Sequence, residues 1–151
     1  MNIVVNGLLT NYRRTGSGKT IVFLHGWGDS LETFSELQKS LATKYDTISI
    51  DLPGFGKTQP PSEVWGLTNY AQFVSNALKK LSIKHVHLYV AHSNGAAEEI
   101  RGFRQGILSA DKVVLLGASG IRNRQRGRRL ALKVVAKTGK VATFWLPIST
   151  R

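Results

Sequence analysis

Short apolar runs alternate along this chain with segments whose apolar residues recur at helical spacing. The runs lie at 20–25, 47–51, 86–91 and 112–117. Unbroken apolar runs of this length are typical of parallel strands that are covered on both faces. The segments between them, at 31–41, 68–81 and 94–105, carry amphipathic stripes. This alternation predicts an α/β fold with a mostly parallel, doubly wound sheet.

The N-terminal region is expected to differ from this scheme. Residues 3–12 form two short apolar stretches that meet at Asn6-Gly7, a strong hairpin dipeptide, and so predict an antiparallel hairpin.

The helices that follow have predicted caps. Asp29 or Ser30 is expected to cap the first helix and Thr68 the second. The stripe expected to face the core in the first helix is Leu31, Phe34, Leu37 and Leu41.

The charge of the chain is concentrated at one end. The net charge is +12, but all nine acidic residues lie within 1–121, opposite 12 lysines and arginines. Residues 122–151 hold nine lysines and arginines and no acid. The chain has no cysteine, no signal-peptide pattern and no apolar run of membrane-spanning length, which predicts a soluble cytoplasmic protein.

Ser93 follows the apolar run at 86–91 within the sequence Ala-His-Ser-Asn-Gly, residues 91–95. Small residues around a serine at the end of a strand are typical of a nucleophile elbow. This turn is so tight that only small neighbours fit, and it raises the hydroxyl above the edge of the sheet. The pattern predicts that Ser93 is a nucleophile.

Three segments, in this order, together resemble the α/β-hydrolase superfamily. They are Leu-His-Gly-Trp-Gly at 24–28, Asp-Leu-Pro-Gly-Phe-Gly-Lys-Thr at 51–58, and the elbow at Ser93. The resemblance extends from about residue 3 to Ile121 and implies the α/β-hydrolase fold. It also implies a hydrolase whose serine attacks a carboxylic ester or related acyl substrate. The reaction would pass through an acyl-enzyme intermediate.

The resemblance also implies an oxyanion hole. Its two donors would be the backbone N–H groups of Trp27 and Asn94, directed at the charge that develops in the tetrahedral intermediate. A serine at the elbow, where other branches have aspartate, disfavours dehalogenase and epoxide-hydrolase chemistry. No cofactor and no metal ion are expected, and the expected partner is a small-molecule acyl substrate.

The chain departs from the family pattern after Ser93. The family places its catalytic acid and then its histidine after the serine. Here only Glu98, Glu99 and Asp111 follow as acids, and no histidine follows at all. The two glutamates are expected to suit the positive N-terminal end of their helix. The interpretation is an N-terminal portion of a longer hydrolase, with 1–121 as part of the core, 122–151 as the start of a cap, and the C-terminal strands missing. A degenerate relative or one half of a two-chain assembly are the alternatives.

The upstream histidines are expected to be structural. His25 belongs to the proposed oxyanion loop, and His92 fills space at the elbow and points away from the nucleophile. His85 and His87 share one face of the expected strand, and no third residue that would make them a metal site is evident. Asp51 is expected to brace the loop that follows it.

The basic segment 122–151 supports an alternative function. Its lysines and arginines mix with apolar residues at roughly helical spacing, as in helices that lie on anionic membranes. The alternative is a non-catalytic hydrolase-like scaffold that binds an anionic membrane surface or partner through this segment. Binding to nucleic acid is less favoured, and a phosphate-binding loop at 16–20 fails because position 13 is arginine and a strand follows.

Overall fold

The computed structural model describes residues 1–119. Within them lies one sheet in the order β1-β2-β4-β3-β5-β6. The strands are β1 (Asn2–Val5), β2 (Leu8–Thr15), β3 (Thr20–Leu24), β4 (Asp46–Ile50), β5 (Leu88–His92) and β6 (Lys112–Leu116). The β1–β2 and β2–β4 pairs are antiparallel, and the other three pairs are parallel. The predicted fold class is confirmed, although β5 begins two residues later than expected.

The N-terminal hairpin turns where the sequence indicated. Asn6 and Gly7 have φ angles of 50° and 81°. Positive φ at both central residues matches the right-handed twist of the two strands that the turn joins.

Three helices connect the strands. A 3₁₀ turn at Leu31–Phe34 leads into α1 (Ser35–Leu41), and α2 (Leu67–Lys80) and α3 (Ser93–Arg104) follow. Ser30 caps the 3₁₀ turn as expected, since its Oγ accepts from the Glu32 N–H at 3.3 Å. The prediction that Thr68 caps the second helix is wrong. Gly66 occupies that position, and the Thr68 hydroxyl donates to Gln105 Oε1 at 3.1 Å.

Two apolar cores cover the two faces of the sheet. On β3, Ile21 and Phe23 face the core that contains Phe34, whereas Val22 and Leu24 face the larger core beneath α2 and α3. Because successive side chains of a strand point to opposite faces, an unbroken apolar run is what a strand covered on both sides requires. Because β3 and β5 are parallel neighbours, their carboxyl ends lie side by side at the same end of the sheet.

The expected stripe of the first helix is partly wrong. Leu37 is 42% exposed, and Gln38 is buried in its place. The Gln38 amide donates to the carbonyls of Arg13 and Thr47, and its oxygen accepts from Ser49 Oγ at 2.9 Å. A buried amide is tolerated here because it is hydrogen-bonded at both ends.

Within the described residues, β6 pairs only with β5 and forms an edge of the sheet. Val113, Val114 and Leu116 on this strand are each more than 40% exposed. Within residues 1–119 this strand is therefore an exposed apolar edge. The predicted boundary between 121 and 122 and the basic segment 122–151 lie outside the described residues.

Candidate active site

Ser93 lies at the junction where β5 ends and α3 begins. His92 is extended, with φ −113° and ψ 138°, whereas Ser93 has a φ of 50° and is already the first residue of the helix. A left-handed conformation is unfavourable for a residue with a Cβ, so it persists only where the surrounding structure enforces it. The side chain is half-buried and lies outside the apolar cores. This backbone has the sharp strand-to-helix turn that the sequence predicted.

Two glycines bring the backbone into close contact at this turn. A Cβ on Gly95 would lie 2.4 Å from the His25 carbonyl oxygen, so only glycine allows α3 to approach the end of β3 this closely. A Cβ on Gly26 would lie 3.1 Å from Ser93 Cβ. The loop that follows β3 therefore passes directly beside Ser93.

The two residues predicted to supply the oxyanion hole flank this contact. Trp27 follows Gly26 in the loop, and its exposed ring packs edge-on against Phe55 at a centroid distance of 4.8 Å. Asn94 is the second residue of α3. The first N–H groups of a helix have no partner within that helix and lie at the positive end of its dipole. Their assignment as oxyanion donors stays a prediction.

His25 has both ring nitrogens occupied. The Leu52 N–H donates to Nε2 at 3.0 Å, so Nδ1 carries the proton and donates to the Gly26 carbonyl at 2.8 Å. Burial lowers the pKa of His25 below its ordinary value, against the opposing effect of the Gly26 carbonyl. A neutral imidazole that joins two loops has a structural role, as predicted.

Asp51 holds together the segments around the site. Its carboxylate accepts from Leu31 N–H at 2.6 Å, Lys57 N–H at 2.9 Å and Asn11 Nδ2 at 2.7 Å. Gly56 is needed opposite it, because a Cβ there would lie 2.2 Å from the carboxylate. The predicted bracing role of Asp51 is confirmed.

The remaining histidines divide between the two ends of the sheet. The His92 ring lies between Gly26 and Gly117 at the elbow, and its Nδ1 is buried with no hydrogen-bond partner among the described residues. His85 and His87 precede β5, at the opposite end, and each contacts the Asp111 carboxylate at 3.0 and 2.8 Å. Residues 1–119 contain no group of three or more histidine, cysteine, aspartate or glutamate side chains arranged to hold a metal ion.

Glu98 and Glu99 differ from the expectation that they stabilise the start of their helix. Both lie on the inner face of α3 and are fully buried. Glu98 Oε1 accepts from Asn94 Nδ2 at 2.8 Å. Its second oxygen and both oxygens of Glu99 have no partner within residues 1–119. Burial raises the pKa of Glu98 to about 8 and that of Glu99 to about 9, so neutral carboxyls, which the helix dipole does not favour, occupy this face.

The sequence carried a signal for this burial. Gly95, Ala96 and Gly102, on the same inner face, are small residues that allow close helix packing. Glu98 and Glu99 fall between them at helical spacing. The Asn94–Glu98 spacing of four residues also places their side chains side by side on a helix.

Two grooves in the described residues do not contain Ser93. One of about 590 Å³ lies at the opposite end of β5 and is lined by residues that include Leu78, Val86 and Tyr89. Another of about 510 Å³ lies near Asp51 and Arg13. In the part of the chain that the structure describes, no helix combines the length and the apolar character needed to cross a membrane.

Comparison with known proteins identifies the same fold. A family model described as the alpha/beta hydrolase fold matches residues 19–98, which is more than half of the chain. An uncharacterized hydrolase of Bacillus subtilis (strain 168) is 33% identical over 117 residues, 77% of this chain and 42% of its own length. A pimeloyl-[acyl-carrier protein] methyl ester esterase of Pseudoalteromonas atlantica is 36% identical over 72 residues, 47% of this chain and 28% of its own.

A solved structure shows the likeness in three dimensions. The meta-cleavage product hydrolase of Pseudomonas fluorescens IP01 has a TM-score of 0.73 and is 26% identical, over 82% of this chain and 47% of that chain. The chain thus spans 28–42% of the length of these two curated relatives and just under half of the solved one.

Proposed function

The chain belongs to the alpha/beta hydrolase fold family, and we propose that within that family it carries the serine nucleophile of a hydrolase that acts on a carboxylic ester or related acyl substrate. The observation that carries the proposal is the backbone of Ser93, which has a φ of 50° between an extended residue and the first turn of α3. Backbone strain of this kind, at a polar residue just after the end of a strand, is typical of functional sites.

The proposed reaction begins with attack of Ser93 Oγ on the acyl carbon. A new C–O bond forms as the Ser93 proton passes to a base, and the carbonyl electron pair moves to the oxygen. When the tetrahedral intermediate collapses to an acyl-enzyme, the bond to the leaving group breaks and the base returns the proton to the leaving group. Water then attacks the acyl-enzyme in the same way and releases the acid and Ser93. Each step places negative charge on the former carbonyl oxygen.

The Trp27 and Asn94 backbone N–H groups are proposed to hold this oxygen. The contact between Gly26 and Ser93 supports the role of Trp27, because it places the loop beside the nucleophile. The position of Asn94 in the first turn of α3 supports its role, because that N–H has no partner within the helix. Loss of one oxyanion donor typically lowers kcat by a factor of about 100 to 1000.

Proton transfer is proposed to involve a group outside these 151 residues. His25 has both nitrogens occupied, and His85 and His87 lie at the other end of the sheet. His92 Nδ1 is buried with no hydrogen-bond partner among the described residues, so it does not contact the Ser93 hydroxyl. The family order of serine, acid and then histidine is consistent with a base farther along a longer chain. Without a base, the Ser93 hydroxyl keeps its proton near neutral pH and is a weak nucleophile.

An acyl substrate is favoured by the chemistry of the elbow and by the names of two relatives. One matched relative is a methyl ester esterase, and the matched solved structure is a meta-cleavage product hydrolase. A serine nucleophile beside two backbone donors suits both ester and carbon–carbon bond hydrolysis.

The test is the rate at which a fluorophosphonate probe labels the natural gene product that contains this chain. We expect labelling of the unaltered protein and none of Ser93→Ala. Ser109→Ala is the matched control, because Ser109 is an exposed serine at the opposite end of the neighbouring strands and should leave the rate unchanged. Equal labelling of Ser93→Ala, or no labelling of the unaltered protein, would refute the proposal.

A second candidate is favoured by the charge of residues 122–151. Nine basic residues with no acid would give this segment affinity for an anionic membrane surface or partner through long-range attraction. This role is compatible with a hydrolase of apolar esters, and it is also what a non-catalytic scaffold would retain.

A further inference from the structure

The first turn of α3 has no conventional cap. His92 occupies the N-cap position, and its side chain accepts no hydrogen bond from the helix. A side-chain cap normally fixes the first turn by accepting from one of its free N–H groups. Here His92 supplies no such cap, so the first turn depends on other contacts.

The Asn94–Glu98 pair supplies such a contact. Asn94 Nδ2 donates to Glu98 Oε1 at 2.8 Å, and Glu98 is 0% exposed. A pair of this spacing on an exposed helix surface contributes little to stability. Here the bond is partly buried and its acceptor is fully buried, and a hydrogen bond shielded from water is stronger than one at the surface.

Packing alone does not explain Glu98. A buried carboxyl with one oxygen unpaired within residues 1–119 costs stability, and an apolar side chain of similar size would fill the same space without that cost. Glu98 stands four residues after Asn94, where its carboxyl reaches the side chain next to Ser93. That combination indicates a role at the site.

We propose that Glu98 is a positioning residue, which fixes the side chain of Asn94 and thereby the direction of the Asn94 backbone N–H beside Ser93. The consequence for catalysis rests on the proposed function, whereas the structural coupling does not. Glu98 touches neither the nucleophile nor the oxyanion in this arrangement and acts only through Asn94.

The coupling can be measured by NMR on the ¹⁵N-labelled natural gene product that contains this chain. The titratable groups that face this part of α3 are Tyr70 on α2, Glu99 on α3 and Tyr89 on β5. Burial holds the pKa of Glu98 near 8, so the Asn94 backbone amide should shift with a midpoint near pH 8. Glu98→Gln should abolish this titration and keep the low-pH position, because the glutamine oxygen still accepts from Asn94.

Two further variants complete the NMR experiment. Glu98→Leu removes the acceptor and should displace the Asn94 amide at every pH. Glu99→Gln is the matched control, since it removes the neighbouring buried carboxyl and should leave the Asn94 titration in place. If the Asn94 amide is unchanged in Glu98→Leu, or still titrates in Glu98→Gln, the proposal is wrong. Should Glu98→Leu fail to fold, Glu98→Gln alone decides.

The catalytic consequence is measured by fluorophosphonate labelling of the natural gene product. We expect Glu98→Leu to lower the labelling rate about tenfold or more, with Glu98→Gln retaining more of it and losing the pH dependence near 8. Asn94→Ala should cause a similar loss, and the Asn94→Ala, Glu98→Leu double variant little more, because the two residues act as one unit. If the activation free-energy losses of the two single variants simply add in the double variant, the coupling is wrong. If the probe fails to label the wild-type protein, only the proposed function is overturned, because the NMR result still stands.

Discussion

The buried carboxyls of Glu98 and Glu99 should make the protein less stable as the pH rises. Both pKa values are raised by burial, to about 8 and about 9, from a value of 4.5 in an exposed side chain. Between pH 4.5 and the raised pKa of each carboxyl, the folded state binds more protons than the unfolded state. The free energy of unfolding therefore falls as the pH increases through this range. The loss begins above about pH 4.5 and ends near pH 8 for Glu98 and near pH 9 for Glu99.

The magnitude follows from the size of the shift. One pKa unit corresponds to about 1.4 kcal/mol, so the Glu98 shift corresponds to a loss on the order of 5 kcal/mol across its window. Most domains are stable by only about 5–15 kcal/mol, so a loss of this size should be plain in an unfolding curve. The buried His25 acts in the opposite direction, since its lowered pKa costs stability as the pH falls below about 6.5.

Urea unfolding followed by tryptophan fluorescence from pH 5 to 9 measures this dependence. Glu98→Gln and Glu99→Gln should each flatten the decline above pH 6.5 and be more stable than wild type at pH 8. Glu63→Gln is the matched control, because Glu63 is exposed and should leave the profile unchanged. A wild-type profile that is flat or rising from pH 6.5 to 8, or glutamine variants that keep the decline, would refute this reasoning.

Three further predictions concern the rest of the molecule. Gly95→Ala should destabilise the fold by about 2 kcal/mol, measured by urea unfolding, because the new Cβ would overlap the His25 carbonyl, and a cost below about 0.5 kcal/mol would contradict the close approach. Asp51→Ala should cost about 3 kcal/mol in the same assay, since it leaves several donors unpaired, and a cost below about 1 kcal/mol would contradict the bracing role. Sedimentation with anionic liposomes should be strong at low salt, weak at high salt and lost on deletion of 122–151; binding that is insensitive to salt would argue against an electrostatic surface.

The fold and the elbow could be predicted because their signals are local in the sequence. The alternation of apolar runs with amphipathic segments requires a sheet covered on both faces, whatever the details of packing. The tight turn at Ser93 requires small neighbours, which stand within two residues of it. The hairpin at Asn6-Gly7 depends only on the φ angles that these residues accept.

The buried polar residues could not be predicted in the same way. Gln38 is inside because carbonyls of Arg13 and Thr47, far from it in sequence, accept its hydrogen bonds. Leu37 had the stronger hydrophobic signal and is exposed instead. Glu98 and Glu99 are inside because α3 packs closely at Gly95 and Gly102, a constraint that the small residues around them indicate but hydrophobicity alone does not.

The most direct test of the central claim is to locate the probe on the protein by mass spectrometry. Trypsin cleavage after Lys84 and Arg101 releases the peptide 85–101, in which Ser93 is the only serine. After fluorophosphonate treatment of the natural gene product, we expect the adduct on this peptide, at Ser93, and on no other peptide from residues 1–151. An adduct on a different serine, with Ser93 unmodified, would contradict the account.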